Sequence, residues 1–265
     1  MQYLTIPPPA HLADIIRFFW VMNSETGYTH YGMADACVEL VFHTRGHFDE
    51  IDEKGERSKS FTAGLHGASH VLRRYTIESG FGIFAVYFYP QAIPLLFSLP
   101  ACELANETAE LGYLLKSVGS ELEERIVLAR NTKERCEIIC RFTEQRLAAV
   151  RMAELPVFSA IREIIHQAPV ERIAALSKRY YLSERQFERQ FRQYAGLSPK
   201  MFARIVRFQA AASFYEADKM SLGNIALECG YYDQAHFINE FKFFSGLHPK
   251  VFFSGQSEAT AWRDV

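Results

Sequence analysis

The spacing of apolar and polar positions changes period about ninety residues into the chain. Cys37-Val38-Glu39-Leu40-Val41-Phe42-His43 alternates in part and stops at Arg45-Gly46, which predicts a strand, and His47 to Ile51 reads as its partner. Asp52-Glu53-Lys54-Gly55-Glu56 is a charged turn, and Phe61 to Ile77, with Gly64 and Gly67 among apolar residues, predicts two more strands. Gly82 to Tyr89 is the clearest strand, aromatic and β-branched, with Pro90 as its stop. On it Phe84, Val86 and Phe88 share one side, and Ile83, Ala85, Tyr87 and Tyr89 the other. Only one of these sets would line a pocket, and the pattern leaves open which; together with Phe81 they serve equally as barrel core. Upstream, Pro7-Pro8-Pro9 forbids a helix before about Ala10, and His11 to Trp20 reads as a short helix or strand entry anchored by Phe18, Phe19 and Trp20. After Gln91 the period lengthens. Ala92 to Leu99 predicts a short helix, Leu111 to Leu128 includes a charged amphipathic segment, and Thr132 to Met152 predicts a long helix with Thr132 as cap. Glu154-Leu155-Pro156 reads as a linker.

Beyond the linker, from Glu171 to Phe253, one helical device is written twice. The first copy runs Leu176-Ser177, Leu182-Ser183-Glu184-Arg185-Gln186-Phe187, Phe191 and Gly196-Leu197-Ser198-Pro199. The second runs Ile225-Ala226, Tyr231-Tyr232-Asp233-Gln234-Ala235-His236-Phe237, Phe241 and Gly246-Leu247-His248-Pro249. Phe187/Phe237, Phe191/Phe241, Gly196/Gly246, Pro199/Pro249 and Phe202/Phe252 lie 50 residues apart, and the leading pairs 49. Two copies are too few for a solenoid, so a paired binding module is the better reading. Each copy has helix-turn-helix grammar. In the second, Gly230 stops a short helix and Asp233 caps the next, whose Phe237 and Phe241 face the core and leave Gln234, Ala235, His236 and Asn239 outside. In the first, Ser183 is the cap, Phe187 and Phe191 face inward, and Arg185, Glu188, Arg189 and Arg192 lie outside. A second helix with a polar outer face suits the major groove, where arginine pairs with guanine and Gln or Asn with adenine. Two solvated helical hairpins are the plain alternative for either copy alone; the matched spacings of both argue against it.

Composition adds an asymmetry. Of 265 residues 49% are apolar and 23% charged, which suits two folded soluble domains, and the net charge is −2. Residues 1–156 carry 15 Lys/Arg against 20 Asp/Glu, a net of −5, and residues 157–255 carry 13 against 9, a net of +4. The basic excess thus lies where phosphate would be met, and its modest size leaves dimerisation or base contacts to supply the rest of the affinity. No run approaches a membrane helix, the N-terminus lacks a secretion signal, and five cysteines form no disulfide framework. A cytoplasmic protein is expected, with no membrane partner.

Chemistry offers little. His43, His47, His66 and His70 lie in strand-like segments with no acid completing a metal spacing, so hydrogen-bonded histidines are expected rather than ligands. Cys136 and Cys140 share a face of a predicted helix, where apolar packing is commoner than a thiol sensor. There is no phosphate loop, nucleophile elbow or paired-carboxylate motif. No enzyme activity, catalytic residue, metal or cofactor is therefore expected.

The C-terminal motifs resemble the AraC/XylS family of bacterial transcription regulators over roughly Phe158 to Phe253. The second copy matches best, through Ile225-Ala226, Cys229-Gly230-Tyr231, Asp233-Gln234, His236-Phe237, Phe241-Lys242 and Gly246-Leu247-His248-Pro249; between the copies, Arg207 and Ala211 or Ala212 stand at family-typical places. Tyr181 departs, standing where the family usually has a turn glycine. The N-terminal part is more loosely similar to an uncharacterised domain found ahead of some members, through its proline-rich start, the Trp20 segment, Asp35 to Phe42 and Phe88-Tyr89-Pro90-Gln91-Ala92. The resemblance implies an α+β chain: a strand-rich, barrel-like sensing or dimerisation domain with following helices over 1–155, an all-α DNA-binding domain over 156–255 with a linker helix from Pro199 to Tyr215, and a tail over 256–265. Recognition helices at about 184–194 and 234–244 would enter successive major-groove segments of double-stranded DNA. Arg185, Glu188 and Arg189 would read bases from the first, and Gln234, His236 and Asn239 from the second, with Lys178, Arg192 and Lys242 on phosphate. Family habit favours a homodimeric activator that answers to a small-molecule effector and contacts RNA polymerase. Two other readings stay open: a DNA-associated enzyme with metal or thiol chemistry in the first domain, and a ligand-independent dimeric scaffold.

Overall fold

Strand β7 (Arg73–Phe88) is the spine of the first half of the molecule, as a computed structural model shows it. The structure describes residues 1–52, 54–150, 155–167, 173–214 and 220–254. Along one edge β7 pairs antiparallel with the equally long β2 (Ile16–Gly32), from Ile16↔Phe88 to Gly32↔Arg73. Along the other it pairs first with the short β4 (Asp49–Ile51) and then with β3 (Val38–Arg45). The strands β1 (Gln2–Ile6), β5 (Arg57–Lys59), β6 (Ala63–His66) and β8 (Thr108–Glu110) complete an eight-stranded sheet ordered β1-β2-β7-β3-β6-β8, with β5 on β4. Val38 to His43, Ala63 to His66 and Gly82 to Phe88 all form strands as the alternation predicts. The run from His47 does not pair with β3. Its strand is β4, which bonds β5 and β7 instead, because Gly46 at a φ of 70° turns the chain away from the β3 edge.

The two faces of β7 part as period two demands. Phe84, Val86 and Phe88 join Phe19, Leu40 and Phe42 in a core closed by helices α1 (Ala92–Phe97), α3 (Ser117–Leu128) and α4 (Thr132–Ala148). Ile83 and Tyr87 face the other way, into a cavity. The helical stretch from Leu111 to Leu128 is two helices, α2 (Leu111–Leu115) and α3, broken at Lys116, whose φ is 53°. Asn131 caps α4, its side chain accepting the Glu134 N–H at 3.0 Å, and Thr132 is the first helical residue rather than the cap. Met152 and Glu154, like Glu171, Tyr215 and the tail, lie outside the described residues.

The second half is helical. α5 (Pro156–Gln167), α6 (Ile173–Arg179), α7 (Glu184–Ala195), α8 (Pro199–Ser213), α9 (Leu222–Glu228), α10 (Gln234–Ser245) and α11 (Pro249–Phe253) pack around Phe187, Phe191, Phe202, Phe208, Phe237, Phe241 and Phe244, all buried. Fully burying one such ring removes roughly 2–3 kcal/mol of apolar exposure, so these repeats are the fold's core before they are anything else. The halves also share packing. Ala34, Ala36 and Ala68 of the first join the helical core, the Ala34 N–H donates to the Phe244 carbonyl at 3.2 Å, and Tyr89 Oη lies 3.0 Å from His166 Nε2. None of the described helices is long and apolar enough to cross a membrane.

Candidate nucleic-acid interface and interior cavity

Each repeat closes its helices with the same local chemistry. Ser183 Oγ accepts the Gln186 N–H, and Gln186 Oε1 accepts the Ser183 N–H in return, a capping box that fixes the start of α7. Asp233 Oδ1 does the equivalent work for α10, accepting the His236 N–H at 2.7 Å. At matched positions Ser198 and His248 cap the following helices, each with proline as the first helical residue. The turn of the second unit passes through Gly230 at a φ of 69°, and the first through Tyr181 at 56°. The turn has the same left-handed shape in both, although only one carries the residue suited to it.

With the helices so fixed, Arg185, Glu188, Arg189 and Arg192 lie exposed along the outer side of α7. Gln234, Asn239 and Lys242 lie exposed on α10, and Lys178 on α6. His236 is only half-buried and partly engaged: its Nδ1 accepts the Tyr232 N–H at 3.4 Å and its Nε2 stands 3.7 Å from Glu240. Three features were missed by the sequence reading. Glu240 lies on the inner stripe with Phe237, Phe241 and Phe244, 7% exposed, and takes a hydrogen bond from the Arg204 Nε of α8. An acid at i+3 from one core phenylalanine and i−4 from another is the signal that could have found it, since a buried charge needs a partner. Tyr181 and Tyr232 stand almost fully exposed at the turns leading into α7 and α10. Lastly, a shallow groove runs between the outer side of α7, at Arg185, Glu188, Arg189 and Arg192, and Pro100 and Cys102 of the first half. There Gly196, at a φ of 84°, lets the end of α7 approach so closely that a Cβ would come within 3.1 Å of the Ala101 carbonyl.

A second feature lies inside. Between the sheet and α8 is a cavity of about 360 Å³. Its floor includes Phe18, Tyr87, Glu39 and His66, which sit opposite one another in register across β2, β7, β3 and β6. Phe208, Gln209 and Ala212 of α8 border it from the helical side. Asp35 at its rim accepts the Cys37 N–H at 2.7 Å and the Tyr87 hydroxyl, and the Gln209 amide lies 3.5 Å from the same hydroxyl. Burial pushes the Asp35 carboxyl upward against those bonds, and pushes Glu39 up to about 8, with Asp35 as the second cause. Burial also drives His30 down to about 4 and His66 to about 3.

The four histidines considered as ligands do not converge. His43 Nδ1 is 2.8 Å from the Phe61 carbonyl, His47 Nε2 is 2.9 Å from Thr62 Oγ1, and His70 stacks on Phe243. Among the described residues no group of three His, Cys, Asp or Glu side chains is placed to hold a metal ion. Cys136 and Cys140 are unbridged, half-buried against the core, with their thiols pushed upward by burial, Cys136 to about 12.

Two family models match the chain, one in each half. Residues 4–110 match a domain of unknown function, DUF6597, and residues 176–255 match a helix-turn-helix domain. An uncharacterised HTH-type transcriptional regulator of Haemophilus influenzae is 37% identical over 83 residues, which make up 31% of this chain and 27% of that protein. The chain therefore matches little more than a quarter of that relative's length. ToxT from Vibrio cholerae O395, solved with bound (E)-4-(8-methylnaphthalen-1-yl)but-3-enoic acid, aligns over 97% of this chain and 100% of its own with a TM-score of 0.50 at 12% identity, a likeness of fold. The DNA-binding domain of AdpA, solved in complex with a target DNA, aligns over 42% of this chain and 98% of its own, with a TM-score of 0.37 at 21% identity.

Proposed function

By its helix-turn-helix domain and the DUF6597 domain ahead of it, the chain belongs with the AraC-type transcription regulators, which are not enzymes, and from that premise we propose how it acts. It binds double-stranded DNA with α7 and α10 in successive major-groove segments of one duplex face. Arg185, Glu188 and Arg189 read bases from α7, and Gln234, His236 and Asn239 from α10. Lys178, Arg192 and Lys242 hold phosphates and set the register. The observation that carries this is the pairing itself: two helices capped alike, anchored by equivalent phenylalanines, each turning a polar outer side to solvent and joined through α8.

The boundary between the domains falls at residues 155 and 156, with the first as the sensing and dimerising unit. The cavity at α8 supports a small-molecule effector, because a ligand there touches the helix that joins the two DNA-reading units. The protein works in the cytoplasm as a homodimer and, by the habit of its family, as an activator in contact with RNA polymerase.

Genomic fragments selected on the purified full-length protein test the DNA reading, with the Arg189→Ala/Asn239→Ala variant in parallel. An enriched motif with two contact regions about one helical turn (~34 Å) apart, lost in the variant, is the expected result. A motif equally enriched by the variant would remove α7 and α10 from base reading. No motif at any salt concentration, with or without candidate effectors, would overturn sequence-specific binding.

A further inference from the structure

We propose that the cavity between the sheet and α8 binds a small organic cation: a protonated amine, amidine or nitrogen heterocycle set against Glu39, with an apolar or aromatic body against Trp20 and Phe18. This rests on the effector reading above and names the chemistry of the effector.

Size comes first. A volume of about 360 Å³ lies at the lower end of the range for small-molecule sites, so the ligand is compact. Next comes the wall. Trp20, Phe18, Tyr75 and Tyr87 give flat aromatic surfaces. The Trp20 indole N–H donates to Glu39 Oε1 at 3.1 Å, which fixes the carboxyl at the cavity floor. A carboxylate accepts about four hydrogen bonds, and this one is the only hydrogen bond to the Glu39 side chain seen among the described residues.

Charge decides the class. Asp35 is already bound by Cys37 and Tyr87, but Glu39 makes no salt bridge among the described residues. The nearby arginines are engaged elsewhere. Arg17 donates to Cys37 Sγ at 3.3 Å and lies over the Tyr87 and Tyr89 rings at 5.4 and 5.7 Å, while Arg73 pairs with Glu50. His30 and His66, which also line the cavity, are held neutral by burial, and the buried His30 Nδ1 has no hydrogen-bond partner among the described residues. An anionic ligand would meet two acids, and Arg73, the arginine that lines the cavity among the described residues, is already paired with Glu50. A neutral one would leave Glu39 uncompensated whenever it ionised. A cation supplies the missing charge, gains a charge-assisted hydrogen bond, and has the Trp20 face for cation–π contact.

Calorimetry and thermal shift on the full-length protein test this, with benzylamine, phenethylamine and benzamidine against neutral benzyl alcohol and the anions hydrocinnamate and decanoate. The cations should bind at least about tenfold more tightly than benzyl alcohol. Glu39→Gln should cost them at least about tenfold while moving benzyl alcohol by less than about threefold. Trp20→Phe, which keeps an aromatic ring but removes the indole donor, should fall between. Anions or benzyl alcohol binding as tightly as the cations would overturn the inference, as would unchanged amine affinity in a folded Glu39→Gln protein. If another class binds and alters affinity for the selected DNA, only the cationic assignment falls. If no class binds up to millimolar concentration, the effector reading falls with it.

Discussion

At the scale of single residues, Glu39 carries the most consequence, because it is an acid built into an aromatic wall. Its carboxyl is pushed up to about 8 by burial and by Asp35, against the favourable Trp20 bond, with Cys37, Tyr75, Tyr87 and His66 as the other titratable neighbours. In the unfolded chain it titrates near 4.5. The folded protein therefore holds a proton that the unfolded chain has lost, so stability falls as pH rises from about 4.5 to about 8 and then levels off. His30 and His66 act in the opposite sense, costing stability as pH falls below about 6.5, because only the unfolded chain takes up their protons. Glu39→Gln isolates the acid's share. Relative to the variant, the wild-type Tm should decline between pH 6 and pH 8 and run parallel above that. Curves parallel across the whole range would mean that Glu39 is ionised like an ordinary surface acid.

At the scale of elements, what the sequence made legible was whatever rests on local periodicity and caps. Phe187/Phe191 and Phe237/Phe241, Ser183, Gly230 and Asp233 all stand as their spacing demands. So does the division of β7, although only the fold could say that Ile83 and Tyr87, not Phe84 and Phe88, face the cavity. Contacts made at long range were hidden. Val21 to Gly32 carries no strong alternation and becomes strand by pairing with β7 throughout, and Asp35, in a loop, meets Tyr87 and α8 only through the tertiary structure. The Tyr181 turn was legible as an exception, and the structure gives it physical content. A tyrosine 96% exposed makes little packing, yet it holds a φ of 56° that costs an L-residue about 1 kcal/mol or more. Tyr181→Gly should then stabilise the protein, by up to about 1 kcal/mol after the unfolded-chain entropy of glycine is offset. If the exposed hydroxyl holds a phosphate, the same variant should bind its selected DNA more weakly, with a shallower salt dependence. Urea unfolding and fluorescence anisotropy read the two effects separately. A variant less stable than wild type would show that the turn is not strained.

At the scale of the whole molecule, the first domain stands beside the side of α7 that is proposed to read DNA. The groove between α7 and Pro100–Cys102 puts a domain-one cysteine next to Arg185, Glu188, Arg189 and Arg192. Among the five cysteines Cys102 is the exposed one; Cys37 and Cys229 are buried, Cys136 and Cys140 half-buried, and burial pushes those four thiols upward. Since the thiolate is the reactive form, a maleimide should label Cys102 first, and Cys102→Ser should remove the rapid phase. If α7 enters the major groove with the domains packed as they are here, the flanking phosphate backbone passes over this groove, and the selected DNA should slow Cys102 labelling severalfold. A non-specific duplex at the same salt concentration should slow it far less. Labelling unchanged by a specific duplex would mean that α7 approaches DNA from another side. Faster labelling would mean that the Ala101–Gly196 contact opens on binding, so that DNA and the first domain compete for α7 and any ligand that holds the domains together weakens DNA binding by the same factor that DNA weakens the ligand.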